Sequence, residues 1–382
     1  LKIEQYIELG LQKISRKHRE TVERLTAPER FRLALEDLGP TFIKLGQVLS
    51  TRPDLIPLEY IAELSKLQDE IPPFPYDEVR EIVKAELGKY PEEIFASFEH
   101  RPVAAASLGQ VHCARLKTGE DVAVKVQRPG ITRQIEIDLE ILLHISQLME
   151  RHLQELHIIR PSKIVDEFSR SLEEELDYTV EISHIERFHR QFEDNDTVHV
   201  PRVYRSFSTR RILTMEDIHG IKASKIDELE EKGYDLKELA SRGADLMMEQ
   251  IFIYGFFHAD PHPGNIFVLP GNIICYIDFG MMGRVNRQER EDFADMLICV
   301  VRKRDDKLVD AVLKLTDYRD EPDREAFQRD ISAFVDRNLY QPLKDLNLGE
   351  VLQQLLELAT RYGLTIKPHL YLMMKALSQV ES

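Results

Sequence analysis

Three polar residues in one short stretch constrain this chain more than anything else in it. Asn265 follows Asp260 by five positions, and Asp278 follows Asn265 by thirteen. Between Asn265 and Asp278 lie Ile266-Phe267-Val268, a Pro270-Gly271-Asn272 turn and Ile273 to Ile277, which together read as a β-hairpin. A hairpin of that length carries Asp278 back beside Asn265, whereas an arbitrary loop does not. One carboxylate near an attacking group, with an Asn and a second Asp to hold magnesium against phosphates, is what phosphoryl transfer needs. Either segment alone, His258-Ala259-Asp260-Pro261-His262-Pro263-Gly264-Asn265 or Asp278-Phe279-Gly280, is also what ordinary Pro- and Gly-flanked turns look like. The two in register are much harder to explain that way. His258 and His262 stand four apart, but Pro261 and Pro263 prevent the helix that would bring both imidazoles to one face. Zinc is therefore not expected, and His258 reads as a packed loop anchor.

Composition sets the outer limits. With 382 residues, 43% of them hydrophobic, the chain can bury one large core or two moderate ones. A net charge of −16 disfavours nucleic acid as a partner, since that needs a concentrated Lys/Arg footprint, and leaves membrane contact to a local patch. Cys113, Cys275 and Cys299 form no C-x-x-C pair, so a reducing compartment fits and all three read as small buried hydrophobes. No apolar run reaches the roughly 18 residues of a membrane span, and Leu1-Lys2-Ile3-Glu4 opens no signal peptide, so the sequence as it stands is expected to be soluble. It begins without Met and ends within an apparent helix, which fits a piece of a longer protein.

Along the chain, the first eighty-odd residues read as helices punctuated by Gly39-Pro40, Arg52-Pro53-Asp54 and Ile71-Pro72-Pro73-Phe74-Pro75. Strands are expected over Val103 to Ala114 and Val122 to Val126, joined by the Lys117-Thr118-Gly119-Glu120 turn. Helical spacing then runs from about Ile135 to Leu156 and from Pro161 to Phe192. Strand character returns at Val198 to Pro201 and Arg211 to Met215, completing a sheet-rich lobe; beyond Gly220 the pattern is mainly helical. Lys125 ends Val-Ala-Val-Lys, where alternation turns its ammonium away from its apolar neighbours. Its expected carboxylate partner is Glu181, in a run whose other acids read mostly as a solvated helix face. Glu216, directly after Met215, fits a link between lobes, where backbone groups from Glu216 to Ile218 could take adenine.

This order of parts resembles the protein kinases, with two departures. Ala259 stands where such kinases carry Arg, and no Ala-Pro-Glu follows Gly280. The segment expected over the phosphates, Ala104-Ala105-Ala106-Ser107, is alanine-rich where kinases are glycine-rich. Taken with Lys44-Leu45-Gly46-Gln47 and Glu175-Leu176-Asp177, the pattern closely resembles the UbiB/AarF family of atypical kinase-like proteins. The resemblance implies an α+β, bilobal protein-kinase-like fold with a helical N-terminal extension (1–90), an N-lobe with helical insertions (91–216) and a mainly helical C-lobe (217–382). It implies ATP and Mg2+ as ligands, Asp260, Lys125 and Glu181 as catalytic residues, and Asn265 and Asp278 as metal ligands. Ala104 to Ser107, Lys125, Glu216 and Ile218 would bind the nucleotide. Lys44 and Gln47, with Glu175 and Asp177, would close the extension over the cleft and restrict protein substrates. ATP hydrolysis, or phosphorylation of something small or lipidic, is the activity implied, in support of ubiquinone or another isoprenoid-quinone pathway. Membrane lipid, a quinone precursor and quinone-biosynthesis proteins are the implied partners, on the cytoplasmic side of a membrane in a longer native chain. Two rival readings are a small-molecule phosphotransferase resembling aminoglycoside or choline kinases and a nucleotide-gated pseudokinase scaffold.

Overall fold

The computed structural model describes residues 25–52, 55–67, 72–152, 161–318, 321–338 and 347–381. The beginning of the expected extension, the Pro53-Asp54 and Ile71 punctuation and the end of the helix expected to reach Leu156 lie outside the described residues. The chain divides into two units, one formed by residues up to 186 with 201–218 and the other by 187–200 with the residues from 219 onward.

The first unit opens with α1 (Ala27–Leu38), started by a capping box in which Thr26 and Glu29 satisfy each other's amides. Gly39, at φ 101°, turns the chain sharply, and Pro40 occupies the first position of α2 (Pro40–Leu49), where its missing N–H costs nothing. With α3 (Leu58–Leu64) these helices bury Leu35, Ile43, Leu64 and Leu67 together. Gly46 of the K-x-G-Q motif sits in that contact: a Cβ there would lie 2.3 Å from Leu67 Cδ1. After α4 (Tyr76–Leu87) come β1 (Phe95–Phe98), β2 (Ala104–Ala105), β3 (Gly109–Leu116) and β4 (Asp121–Gln127).

Helices α5 (Ile131–His152), α6 (Pro161–Leu176) and α7 (Tyr178–Gln191) follow. Where one helical stretch was expected from Pro161 to Phe192, two occur, because the Asp177 carboxylate accepts the Thr179 amide and hydroxyl and so starts a new helix. Residues 198–201 also differ from expectation. The strand there, β5 (Val198–His199), pairs in parallel with residues 274–275 of the second unit, while β6 (Ile212–Glu216) is the strand that joins the first sheet. A two-residue strand has β character but nothing in its pattern that names a partner.

That first sheet is antiparallel, ordered β1-β3-β4-β6 with β2 against β3. Val122, Val124 and Val126 alternate into a core with Val79, Val83, Phe95 and Ile212. Each such buried side chain contributes about 1.5–3 kcal/mol. The same alternation puts Lys125 on the opposite face. Of the three cysteines, Cys275 and Cys299 are buried; Cys113 on β3 is only half-buried, and burial together with Asp217 pushes its thiol up to about 11.

The second unit contains β7 (Ile221–Lys222), α8 (Ile226–Glu231) and α9 (Leu236–Met248), which widens into a π-helical turn over Glu249–Tyr254. Gly255 stops it at φ 62°, where a Cβ would lie 2.5 Å from the Val285 carbonyl oxygen. Then come β8 (Phe256–His258), β9 (Ile266–Leu269), β10 (Ile273–Tyr276) and β11 (Met282–Arg284). The β9-β10 hairpin turns through Gly271 and Asn272, both at positive φ. Strand order is β5-β10-β9-β7, and β8 pairs separately with β11. Beyond these come the helices α10 (Arg287–Val301), α11 (Asp305–Leu315), α12 (Arg324–Asn338), α13 (Leu348–Arg361) and α14 (Pro368–Glu381), with one short antiparallel pair, Thr316–Asp317 against Thr365–Ile366, among them.

Candidate functional site

In the second unit, the loop after β8 and the segment after β10 are bound together by one histidine. The His258 ring is buried and stacked on Tyr276, with centroids 4.7 Å apart. Its Nε2–H donates to the Asp278 carbonyl at 2.5 Å, and its Nδ1 accepts the Asp260 amide at 3.3 Å. These partners require the neutral Nε2–H tautomer. Burial depresses the pKa in agreement, against the opposing pull of the Asp278 carbonyl and the nearby acids. The His258 amide donates in turn to Gln250 Oε1 at 2.8 Å, which the π-helical turn directs inward. The loop that carries Asp260 is thus anchored at its first residue.

Asn265 ends a single 3-10 turn, Pro263–Asn265, and its carbonyl accepts the Ile277 amide at 3.1 Å, so the residue before Asp278 is hydrogen-bonded to Asn265 itself. Asp278 Oδ1 accepts the Gly280 amide at 2.9 Å. His262 spends Nδ1 on the Gly264 amide, and no group of three or more His, Cys, Asp or Glu among the described residues could hold a metal. One carboxylate and one carboxamide are hard oxygen donors. That pair suits Mg2+, which fills its remaining positions with water and phosphate oxygens, and does not suit zinc. Asp260 extends to a different element: its Oδ1 accepts from Gln379 Nε2 at 3.2 Å and lies 3.7 Å from Lys375 Nζ, both on α14.

In the first unit, Lys125 Nζ meets Glu181 Oε2 at 2.8 Å and lies 5.1 Å from the centre of the Tyr178 ring, one turn earlier on α7. Ala104 and Ala105 pair with Val111 and Gln110, and the Ala106 amide bonds back to the Gly109 carbonyl at 2.8 Å. The alanine-rich segment, expected as part of one strand, is therefore a tight hairpin whose amides are partly spent within it. Ser107 is wholly buried at its tip, and its hydroxyl has no hydrogen-bond partner among the described residues. Gly109 is required by close approach, since a Cβ there would lie 2.5 Å from the Tyr178 hydroxyl. Glu216 is occupied by Arg202: its amide donates to the Arg202 carbonyl at 2.8 Å and its carboxylate accepts the Arg202 amide at 3.1 Å. Ile218 follows as the last residue of this unit.

Helix α2 and the turn that follows it are held on the inserted helices at three points. Thr41 donates to Asp138 at 2.5 Å, Lys44 pairs with Glu175 at 2.5 Å, and Arg52 pairs with Glu167 at 2.7 Å. Leu45 and Val48 pack between them on Leu108, Ile131, Ile135, Phe168 and Leu172. Gln47 makes a long 3.4 Å contact to the Leu67 carbonyl. Asp177 turns to Thr179 and Arg210 instead. Burial pushes its carboxyl up, but those hydrogen bonds and the guanidinium outweigh it and hold it below the ordinary value. Thr41, Tyr178, Gln250, Lys375 and Gln379 are among the members of these arrangements that the sequence reading missed. Only Tyr178 carried a usable signal, its spacing of three from Glu181.

A family model described as the ABC1 atypical kinase-like domain matches residues 66–312, and one described as the UbiB helical domain matches residues 331–382. A Synechocystis protein named uncharacterized protein sll1770 is 41% identical over 349 residues, 91% of this chain and 60% of that protein. Proteins named probable protein kinase UbiB match from Pseudomonas aeruginosa PAO1, at 37% identity over 94% of this chain and 68% of theirs, and from Marinobacter nauticus, at 35% over 94% and 66%. This chain thus spans about three fifths to two thirds of the length of these relatives. Among solved structures, Rv3197 from Mycobacterium tuberculosis, determined in complex with erythromycin, shares the fold at a TM-score of 0.62, with 24% identity over 91% of this chain and 90% of that one. No described helix is long and apolar enough to cross a membrane.

Proposed function

This chain belongs to the ABC1 atypical kinase-like family, and we propose that it binds ATP with magnesium and transfers or hydrolyses the γ-phosphoryl group in support of ubiquinone or another isoprenoid-quinone pathway. The observation that carries the reading is the 2.8 Å Lys125–Glu181 contact, a strand lysine held by a helix glutamate as phosphate-binding lysines are in kinases. Lys125 binds nucleotide phosphate, and the segment from Ala104 to Ser107 lies over the phosphates, with some of its hairpin amides already engaged. Asn265 and Asp278 hold the magnesium, which supplies charge neutralisation at the phosphates. Asp260 accepts the proton of the attacking hydroxyl. Adenine lies against backbone groups between Glu216 and Ile218.

Lys44, through Glu175, keeps the extension closed and restricts protein substrates, which leaves water or a small or lipidic acceptor; Gln47 and Asp177 support that closure. Residues 1–90, 91–216 and 217–382 serve as extension, N-lobe and C-lobe, and the setting is a membrane bearing the quinone precursor and its biosynthetic proteins. The names carried by relatives support the kinase part of this reading and leave the acceptor open. The deciding test is Asp278→Asn, with ATP affinity measured by calorimetry with and without magnesium. The substitution removes the magnesium-dependent part of the affinity, at least tenfold; an affinity that keeps its magnesium dependence refutes the assignment.

A further inference from the structure

We infer that Lys375 and Gln379 are positioning residues for Asp260, so that the C-terminal helix completes the catalytic arrangement. The inference rests on the phosphoryl-transfer reading above. Asp260 lies in a Pro- and Gly-rich loop, in neither helix nor strand, so regular structure does not fix the direction of its carboxylate. The fixing comes from α14. Lys375 and Gln379 are four residues apart and so share one face of that helix. Both address the same oxygen: Gln379 Nε2 donates to Oδ1 at 3.2 Å, and the Lys375 ammonium stands 3.7 Å from it. Among the described residues no donor is placed on Oδ2. With Oδ1 held, Oδ2 is the oxygen that accepts the acceptor's proton while the new O–P bond forms and the bond from phosphorus to the β–γ bridging oxygen breaks, releasing ADP.

The helix has the rigidity this role needs. Its opposite face buries Leu370, Met373, Ala376 and Leu377, and it packs on α9 and β11. His369 ties its first turn to Glu289 of α10 at 2.8 Å. A partly exposed pair such as Lys375 with Asp260 adds little to stability in water, so its effect belongs in turnover. A general base supplies a rate factor of roughly 10²–10⁴, and misdirecting one forfeits part of that.

The test is magnesium-dependent ATP hydrolysis by the full chain carrying Lys375→Met, Lys375→Arg, Gln379→Ala, Gln379→Glu or Asp260→Asn, alone and with Lys375→Met added to Asp260→Asn. Lys375→Met and Gln379→Ala each lower kcat about tenfold with KM for MgATP and melting temperature unchanged. Lys375→Arg restores most of the rate, and Gln379→Glu, nearly the same size, lowers it further by setting a carboxylate against Oδ1. On the Asp260→Asn background Lys375→Met has no further effect. Rates within twofold of the parent for both Lys375→Met and Gln379→Ala, beside a strong loss in Asp260→Asn, overturn the inference and leave the base standing. Losses that multiply on the Asp260→Asn background overturn it as well, and undiminished turnover in Asp260→Asn alone removes the base and the inference together.

Discussion

The Lys125–Glu181 contact joins two elements 56 positions apart, and its strength can be worked from the structure. The Glu181 side chain is 7% exposed and that of Lys125 25%, with nitrogen and oxygen 2.8 Å apart. At an effective dielectric of about 20 the gross Coulomb attraction at that distance is on the order of 6 kcal/mol. Taking each charge out of water opposes it by several kcal/mol per ion. What survives should resemble a charge-assisted hydrogen bond, about 1.5–3 kcal/mol. Lys125→Met leaves the more buried carboxylate without its ammonium and should cost about 3–5 kcal/mol. Glu181→Gln keeps an acceptor of the same shape and should cost less. The double variant should therefore be more stable than the sum of the two losses implies, by about 2 kcal/mol of coupling. Urea unfolding followed by far-UV circular dichroism measures all four proteins, with constant m-values as the check that the unfolded states are comparable. A coupling below about 0.5 kcal/mol would mean a screened surface contact, and the argument that Glu181 holds Lys125 in place would fail.

Gly46→Ala gains about 1 kcal/mol of helix propensity but drives a methyl into Leu67 and Leu35, an overpacking cost of about 1–3 kcal/mol; a lowered melting temperature is expected, and an unchanged or raised one shows that the leucines yield. His112 is buried, accepts from Gln110 at 2.9 Å and donates to the Glu99 carbonyl, and burial depresses its pKa below the ordinary 6.5, with the Glu99 hydrogen bond opposing and the His100 charge assisting. Below pH 6.5 the unfolded chain therefore binds a proton that the folded chain resists, and this histidine's share of stability falls by up to about 1.4 kcal/mol per pH unit until the folded pKa is reached. Urea midpoints at pH 7 and 5.5 should differ less in His112→Gln than in the parent.

What the sequence made legible was local. The approach of Asn265 to Asp278 follows from hairpin length and the facing of Lys125 from strand alternation. Asp177 is expected beside Glu175 in closing the extension, yet its carboxylate caps a new helix and meets Arg210, and only the surrounding chain decides between the two. Pro102 to His112 reads both as strand and as the loop over the phosphates, because alanine favours neither, and the turn falls at Ser107 and Leu108, which look no more turn-like than their neighbours. Some partnerships across long separations left no trace: Val198 and His199 carry β character without an address, and Lys375 reaches Asp260 from 115 positions away. Contacts of that kind arise from packing of finished elements and leave no periodicity.

The widened turn at Glu249–Tyr254 gives the chain a particular intolerance. Many side chains there could change type without harm to the backbone, but its length cannot. Deleting a single residue would tighten the turn to α-helical winding and rotate β8, with the loop it leads into, by about 100°. Gln250 would then lose its line to the His258 amide, and the left-handed corner would fall to a residue other than Gly255, one whose Cβ has no room beside the Val285 carbonyl. A one-residue gap in this short segment would do more damage than several substitutions within it.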